Sequence, residues 1–245
     1  MTDLGRVAEL EASGRAALPA LREEPVGDWL VRISGGPTKR VNSANPLTAG
    51  ARLVAVREAA ERLYAANGLP CRFRLTPLAD TGADAELAEA AYEMVDPSFT
   101  MVATLVPRVI DPEITFRSTP DAGCLARTEP LSDRAPPASA VQAQLLAAIA
   151  SPLALAMIEQ DGGVLASGYA SIGHGRAQLS DIVVAPQARG RGLGRRLVSG
   201  LLGWAHDQGC REAMLQVLAG NTVARNLYRS LGFGEAYSYH YRVRQ

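Results

Sequence analysis

Across the eight residues Gln187-Ala188-Arg189-Gly190-Arg191-Gly192-Leu193-Gly194 the hydrophobic period changes from that of a strand to that of a helix, and no other stretch constrains the fold as much. Before the turn, Asp181-Ile182-Val183-Val184 reads as a strand closed by Pro186. After it, Leu193, Leu197, Leu201, Trp204 and Ala205 trace one face of a helix that stops near Gly209. A strand that enters a helix through glycines can expose successive main-chain N–H groups at the helix start. Those orphan donors and the positive end of the helix dipole favour an anion. Glycine at 190 and 192 lets a pyrophosphate approach the backbone, while Arg189, Arg191, Arg195 and Arg196 add positive charge. A dinucleotide loop would need a glycine where Arg195 stands, and a Walker loop would need a Gly-Lys-Ser or Gly-Lys-Thr that does not follow. Taken alone, such a string is usually a glycine-rich turn with solvated arginines.

The surrounding pattern predicts an α+β fold, with a mixed, mostly antiparallel sheet flanked by helices. A helix at 140–150 leads into strands at 153–159, 164–172 and 178–184, joined by short turns as a meander. The helix after the loop is followed by a strand at 213–218, a helix at 221–231 and a closing strand within 233–243. In that closing strand Tyr237, Tyr239 and Tyr241 share one face, either as an aromatic stack or as a wall of an acceptor groove. The first half is also mixed: a helix at 4–21, strands at 29–33, 39–42, 71–75 and 99–105, and helices at 52–66 and 83–93. Prolines crowd the stretch between, so we expect an N-terminal domain at 1–115, a linker at 116–138 and a catalytic domain at 139–245.

A chain of 245 residues, 47% hydrophobic, can bury a proper core. The 25 basic and 25 acidic residues cancel, so no nucleic-acid partner and no anionic membrane surface is expected, and any anion site has to be local. The three cysteines, Cys71, Cys124 and Cys210, lack the pairing of a disulfide framework and the spacing of a zinc site, so we expect no metal and a reducing, cytoplasmic setting. No stretch approaches the roughly 20 apolar residues of a membrane span, and the first residues have no apolar leader core.

Two linked motifs carry a resemblance. The string from Val183 through Gln187 to Gly194, with its Q-x-x-G-x-G loop, and the downstream Asn221-Thr222-Val223-Ala224-Arg225-Asn226-Leu227-Tyr228-Arg229-Ser230-Leu231-Gly232-Phe233, together resemble the Gcn5-related N-acetyltransferases. The resemblance implies acetyl-CoA as co-substrate, lying between two splayed strands. Ile182, Val183 and Val184 would then hold its pantetheine arm through main-chain atoms. Gln187, Arg189, Gly190, Arg191, Gly192, Leu193, Gly194 and Arg195 would take the pyrophosphate, and Asn221 would touch the cofactor arm while also capping its helix. Tyr228 matches the family tyrosine that protonates the departing thiolate, a general acid role, and the plainer reading of it is an aromatic packed on the sheet. Where one branch of the family carries a glutamate, this chain has Gln216, which cannot take a proton from the amine. Asp181 is the carboxylate expected to serve as base, with Glu159 and His174 behind it.

The first half looks like the front half of longer members of the superfamily and reads as a degenerate duplicate without a second loop. Trp29, Arg32, Arg40 and Asn42 are its candidates for substrate contact, with a structural role the default. The activity implied is transfer of acetyl to a primary amine of a small molecule or a protein, directly within a ternary complex, because no cysteine is placed as an acyl carrier. The alternative is a non-catalytic acyl-CoA-binding regulatory module. A homodimer is compatible with either.

Overall fold

The computed structural model describes residues 2–36, 38–131 and 138–245. Helix α1 (Leu4–Ala17) begins where the Asp3 carboxylate accepts from the Arg6 N–H, and it ends four residues short of the expected boundary because Leu18 precedes Pro19. A hairpin of β1 (Arg22–Val26) and β2 (Trp29–Ile33) follows. The expected strand at 39–42 is instead a 3-10 turn at Lys39–Val41. Asn42 causes this: its amide grips the Ser34 and Gly35 N–H groups and the Gly35 and Thr38 carbonyls, closing the segment on itself. The chain continues through β3 (Ala44–Pro46), α2 (Val56–Ala66), β4 (Cys71–Leu75), α3 (Ala83–Glu89) and β5 (Glu93–Thr104).

The stretch expected as a linker carries the end of β6 (Ile114–Arg117) and helix α4 (Ala122–Thr128), and its remainder at 132–137 lies outside the described residues. Then come α5 (Ala138–Ala147), β7 (Leu153–Gln160), β8 (Gly163–Gly173), β9 (Arg176–Val184), α6 (Leu193–Asp207), β10 (Glu212–Leu218), α7 (Thr222–Ser230) and β11 (Gly234–Arg244).

All eleven strands join one mixed sheet in the order β1-β2-β3-β4-β11-β5-β10-β9-β8-β7-β6, with parallel pairs at β3–β4 and β9–β10. Hydrogen bonding therefore does not stop between the expected halves: β5 lies between β10 and β11, and β11 runs antiparallel to β4. Helices α6 and α7 cover one face of the later strands, where Leu197, Leu201, Leu215 and Phe233 share a core. On the opposite face α1 packs Val7 and Leu10 against Met214 and the three tyrosines of β11, which accordingly share a face as their alternation predicts. A separate core around Trp29, Phe73, Tyr64 and Tyr92 supports the first strands.

Candidate active site

Strands β9 and β10 pair through only three positions, Glu212 with Arg176, Ala213 with Ala177 and Met214 with Gln178. Beyond that point β9 keeps to β8 as far as Val184, β10 keeps to β5 as far as Leu218, and the two part. A bulge drives the divergence. Between the pairs Tyr169–Ser180 and Ser167–Val183, two residues of β9, Asp181 and Ile182, oppose Gly168 alone, and Asp181 takes a φ of 53°. Gly168 permits this crossing, since a Cβ there would fall 2.5 Å from Ile182 Cδ1 and 3.3 Å from its Cα.

At the open end of β9 the chain turns through Gly190 and Gly192, both with positive φ, 78° and 76°, and an added Cβ at either would meet no protein atom within 4 Å. The glycines are thus required by the backbone conformation, and the space outside the turn is left open. Arg196 N–H returns to the Gly192 carbonyl, but among the described residues no protein atom accepts from the N–H groups of residues 190–195. This leaves a row of donors at the start of α6, a 15-residue helix with no side-chain cap. Arg189, Arg191 and Arg195 are exposed there. Arg195 bonds Ser230 Oγ at 2.6 Å, tying α6 to α7, and Arg191 reaches Gln160 at 3.0 Å. Arg196 is taken by Asp111 and Glu113 and adds no free charge. Gln187 is exposed in the 3-10 turn at Pro186–Ala188, whereas the Leu193 side chain is core, so only its main chain faces the loop.

Helix α7 closes the same face. Asn221 accepts from the Ala224 N–H at 3.1 Å, the expected cap, and Gly194 sits under Leu227 and Val184, with its Cβ position 3.4 and 3.6 Å from their methyl carbons. Tyr228 is buried, its ring edge-on to Phe233 at 5.8 Å, and no hydrogen bond of its hydroxyl appears among the described residues. Burial pushes its pKa up to about 12, so the phenol keeps its proton across the neutral range.

On the other side of the sheet a cleft of about 420 Å³ opens over the parting strands, lined among others by Lys39, Asp96, Asp181, Gln216 and Tyr239. Arg40 also lines it and crosses from the first half: its guanidinium donates to Ser180 Oγ on β9 at 3.0 Å and Gln216 Oε1 on β10 at 3.4 Å, and lies 3.7 Å from Asp181. Gln142 also donates to Asp181, at 3.0 Å. Lys39 pairs with Asp96 at 2.7 Å, and Asp96 has a φ of 51° at a second bulge, where β5 meets β11. Asp181 therefore lies at the site; Glu159 pairs with Arg127, and His174 sits in the exposed β8–β9 turn, so neither joins it. Of the candidates in the first half, Trp29 is core and bonds the Arg52 carbonyl, Asn42 closes its own loop, and Arg32 is buried on Glu23 and two carbonyls. Only Arg40 of these four reaches the cleft. Lys39 and Asp96 were not anticipated: the strand read from the sequence began at residue 99, after Pro97, so no bulge was expected at Asp96.

All three cysteines are buried, and among the described residues no group of three or more His, Cys, Asp or Glu is placed to hold a metal. No described helix is long and apolar enough to cross a membrane.

The family described as "Probable histone acetyltransferase Rv0428c C-terminal" matches residues 5–243. A Bacillus subtilis protein named as the uncharacterized N-acetyltransferase YobR is 29% identical over 251 residues, covering 100% of both chains. The Escherichia coli ribosomal protein bS18-alanine N-acetyltransferase is 35% identical over 79 residues, 32% of this chain and 53% of its own. Among solved structures, a Gcn5-related N-acetyltransferase from Kribbella flavida superposes with a TM-score of 0.68 at 17% identity, covering 99% of this chain and 96% of its own.

Proposed function

This chain belongs to the family of the Rv0428c acetyltransferase C-terminal domain, within the Gcn5-related N-acetyltransferases, and from that premise we propose that it moves an acetyl group from acetyl-CoA to a primary amine by direct transfer in a ternary complex. The observation that carries the proposal is the coincidence of the parted strands β9 and β10 with the unpaired N–H groups of residues 190–195 at their mouth. The donors suit a diphosphate, and the unpaired edge of Ile182, Val183 and Val184 offers main-chain groups to an amide-bearing arm. A thioester laid between the strands then has Tyr228 on the helical face and the cleft of Arg40, Asp181 and Gln216 on the other.

In the reaction the amine nitrogen bonds the thioester carbonyl carbon, the carbon–sulfur bond breaks, and the sulfur receives a proton as it leaves. Tyr228 supplies that proton: it is a protonated phenol with no protein partner of its own among the described residues. Asp181, at the cleft, receives the proton that the amine sheds. Gln216 orients rather than deprotonates, its amide oxygen held by Arg40. Asn221 contacts the cofactor arm beside its capping duty.

The test is to mix the full chain with acetyl-CoA and a panel of amines and to follow thiol release, with calorimetry of acetyl-CoA alone beside it. Micromolar binding together with thiol release that depends on the amine is expected. Binding with no turnover on any amine would leave an acyl-CoA-binding module instead.

A further inference from the structure

Between α1, the first half and the roots of β9 and β10 lies a cavity of about 20 Å³, room for roughly one water-sized group, lined by Arg15, Arg32, Arg40 and Arg74 with Glu11 as its carboxylate. Their pairing leaves a remainder. Arg32 is bound to Glu23, Arg74 to Glu11 and Arg40 to Asp181, while Arg15 has no hydrogen bond or salt bridge among the described residues. Counting these partners, four guanidiniums meet three carboxylates, an excess of one positive charge. The donors are likewise unspent: among the described residues Arg15 Nη1 and Arg74 Nε and Nη2 are buried without a hydrogen-bond partner, and the Arg74 residue is only 3% exposed. Burial is the leading influence on all four guanidiniums: it pulls those of Arg15 and Arg32 below their ordinary range, whereas at Arg40 and Arg74 the surrounding groups, Tyr169 and Asp181 at the one and Glu11 at the other, outweigh it and leave both raised. An isolated buried charge is strongly unfavourable unless paired. Arg40 and Gln216 line both this cavity and the 420 Å³ cleft, so the two share a wall at the reacting end.

We propose that this arginine pocket is a site for one monovalent anionic group, and that its occupant during turnover is a carboxylate carried by the acceptor amine, which makes the acceptor an amino-acid-like molecule rather than a polycation. The carboxylate places one oxygen on Arg15 and Arg74 and leaves its carbon on the cleft side of Arg40, with the amine directed toward Asp181 and the parted strands. This substrate class rests on the acetyl-transfer reading above, whereas the anion site does not. A free halide offers the same chemistry, and the experiment separates the two sources.

In one arm, kcat/KM is measured on the full chain for pairs of amines that differ by the carboxylate alone, such as leucine against isoamylamine and ornithine against putrescine. In the other, melting temperature is followed as sodium gluconate is replaced by sodium chloride at constant ionic strength. We expect the carboxylate-bearing member to be preferred at least tenfold, and Arg15→Met to reduce that preference to within threefold without changing acetyl-CoA affinity. Because Arg15→Met removes a partly buried cation that has no hydrogen bond or salt bridge among the described residues, it should melt no lower than the parent in gluconate, and Arg15→Lys should restore part of the preference. A saturable rise of melting temperature with chloride, absent from Arg15→Met, with no preference among amines, would keep the anion site and overturn the acceptor assignment. No carboxylate preference and no chloride effect would overturn both. Should no amine support thiol release, the acetyl-transfer reading fails, and the chloride arm still decides the anion site.

Discussion

Tyr228 and Gly192 answer separate questions about the site. The phenol lies beneath α7 with no acceptor for its proton among the described residues, and burial holds its pKa at about 12, against an ordinary value near 10. Its donor form therefore persists below that value, and its own ionisation should cost no activity below about pH 10. Replacing it as Tyr228→Phe removes the proton and keeps the ring contact with Phe233. Turnover should fall by roughly 10²-fold, the lower range for a general acid, with acetyl-CoA affinity unchanged by calorimetry. Equal kcat in the variant would end the assignment. At Gly192 the φ of 76° makes any side chain strained, by about 1 kcal/mol for alanine, and points it into the space above the free N–H groups. Gly192→Glu adds a negative charge to that strain and should abolish acetyl-CoA binding in the same titration; an unaltered dissociation constant would remove the loop from the binding site.

At the scale of elements, the part of the site that was legible is the part made by contiguous residues. The Q-x-x-G-x-G turn, the Asn221 cap and the helix that presents Tyr228 follow from local spacing, because a glycine-driven turn and a helix start depend on neighbours within four residues. The cleft beside the parting strands was not legible in that way. Arg40 was one name among four, and nothing local separates it from Arg32; what differs is that Arg32 spends its donors on Glu23 and the Leu18 and Arg40 carbonyls, while Arg40 reaches strands some 140 positions later, as its bond to Ser180 shows. The bulges at Asp96 and Asp181 were hidden for a related reason, since register is a property of two strands. Close approach of elements tells the same story at Gly173. A Cβ there would lie 2.0 Å from the Ser13 carbonyl oxygen and 2.7 Å from Ala17 N, so β8 and α1 touch backbone to backbone. Gly173→Ala should push α1 off the sheet and cost about 1–3 kcal/mol in chemical denaturation, in the range of an overpacked core. A loss below half that would show that α1 is free to shift.

On the scale of the whole molecule, the sheet order decides how the chain can come apart. With β5 inserted between β10 and β11 and β4 completing β11, the later strands have no uninterrupted sheet of their own. The full chain should melt in one calorimetric transition, with van't Hoff and measured enthalpies in agreement. A fragment of residues 139–245 should lack a cooperative transition, because removal of β5 leaves facing edges of β10 and β11 unpaired. Two resolved transitions, or a fragment that melts cooperatively, would show that the halves fold as separate domains.

By itself, the order of residues determined the mixed α+β composition, the glycine turn before α6 and the helix that carries Tyr228. Each of these is set by interactions within a few residues: periodic burial, glycine φ angles and helix capping. Tertiary structure alone decided that β9 and β10 part at a bulge, that Arg40 crosses from the first half to bridge them, and that four arginines enclose one small cavity. Those features are made of long-range register and of charges brought together by packing, and a linear pattern carries no information about which distant residue will share a space.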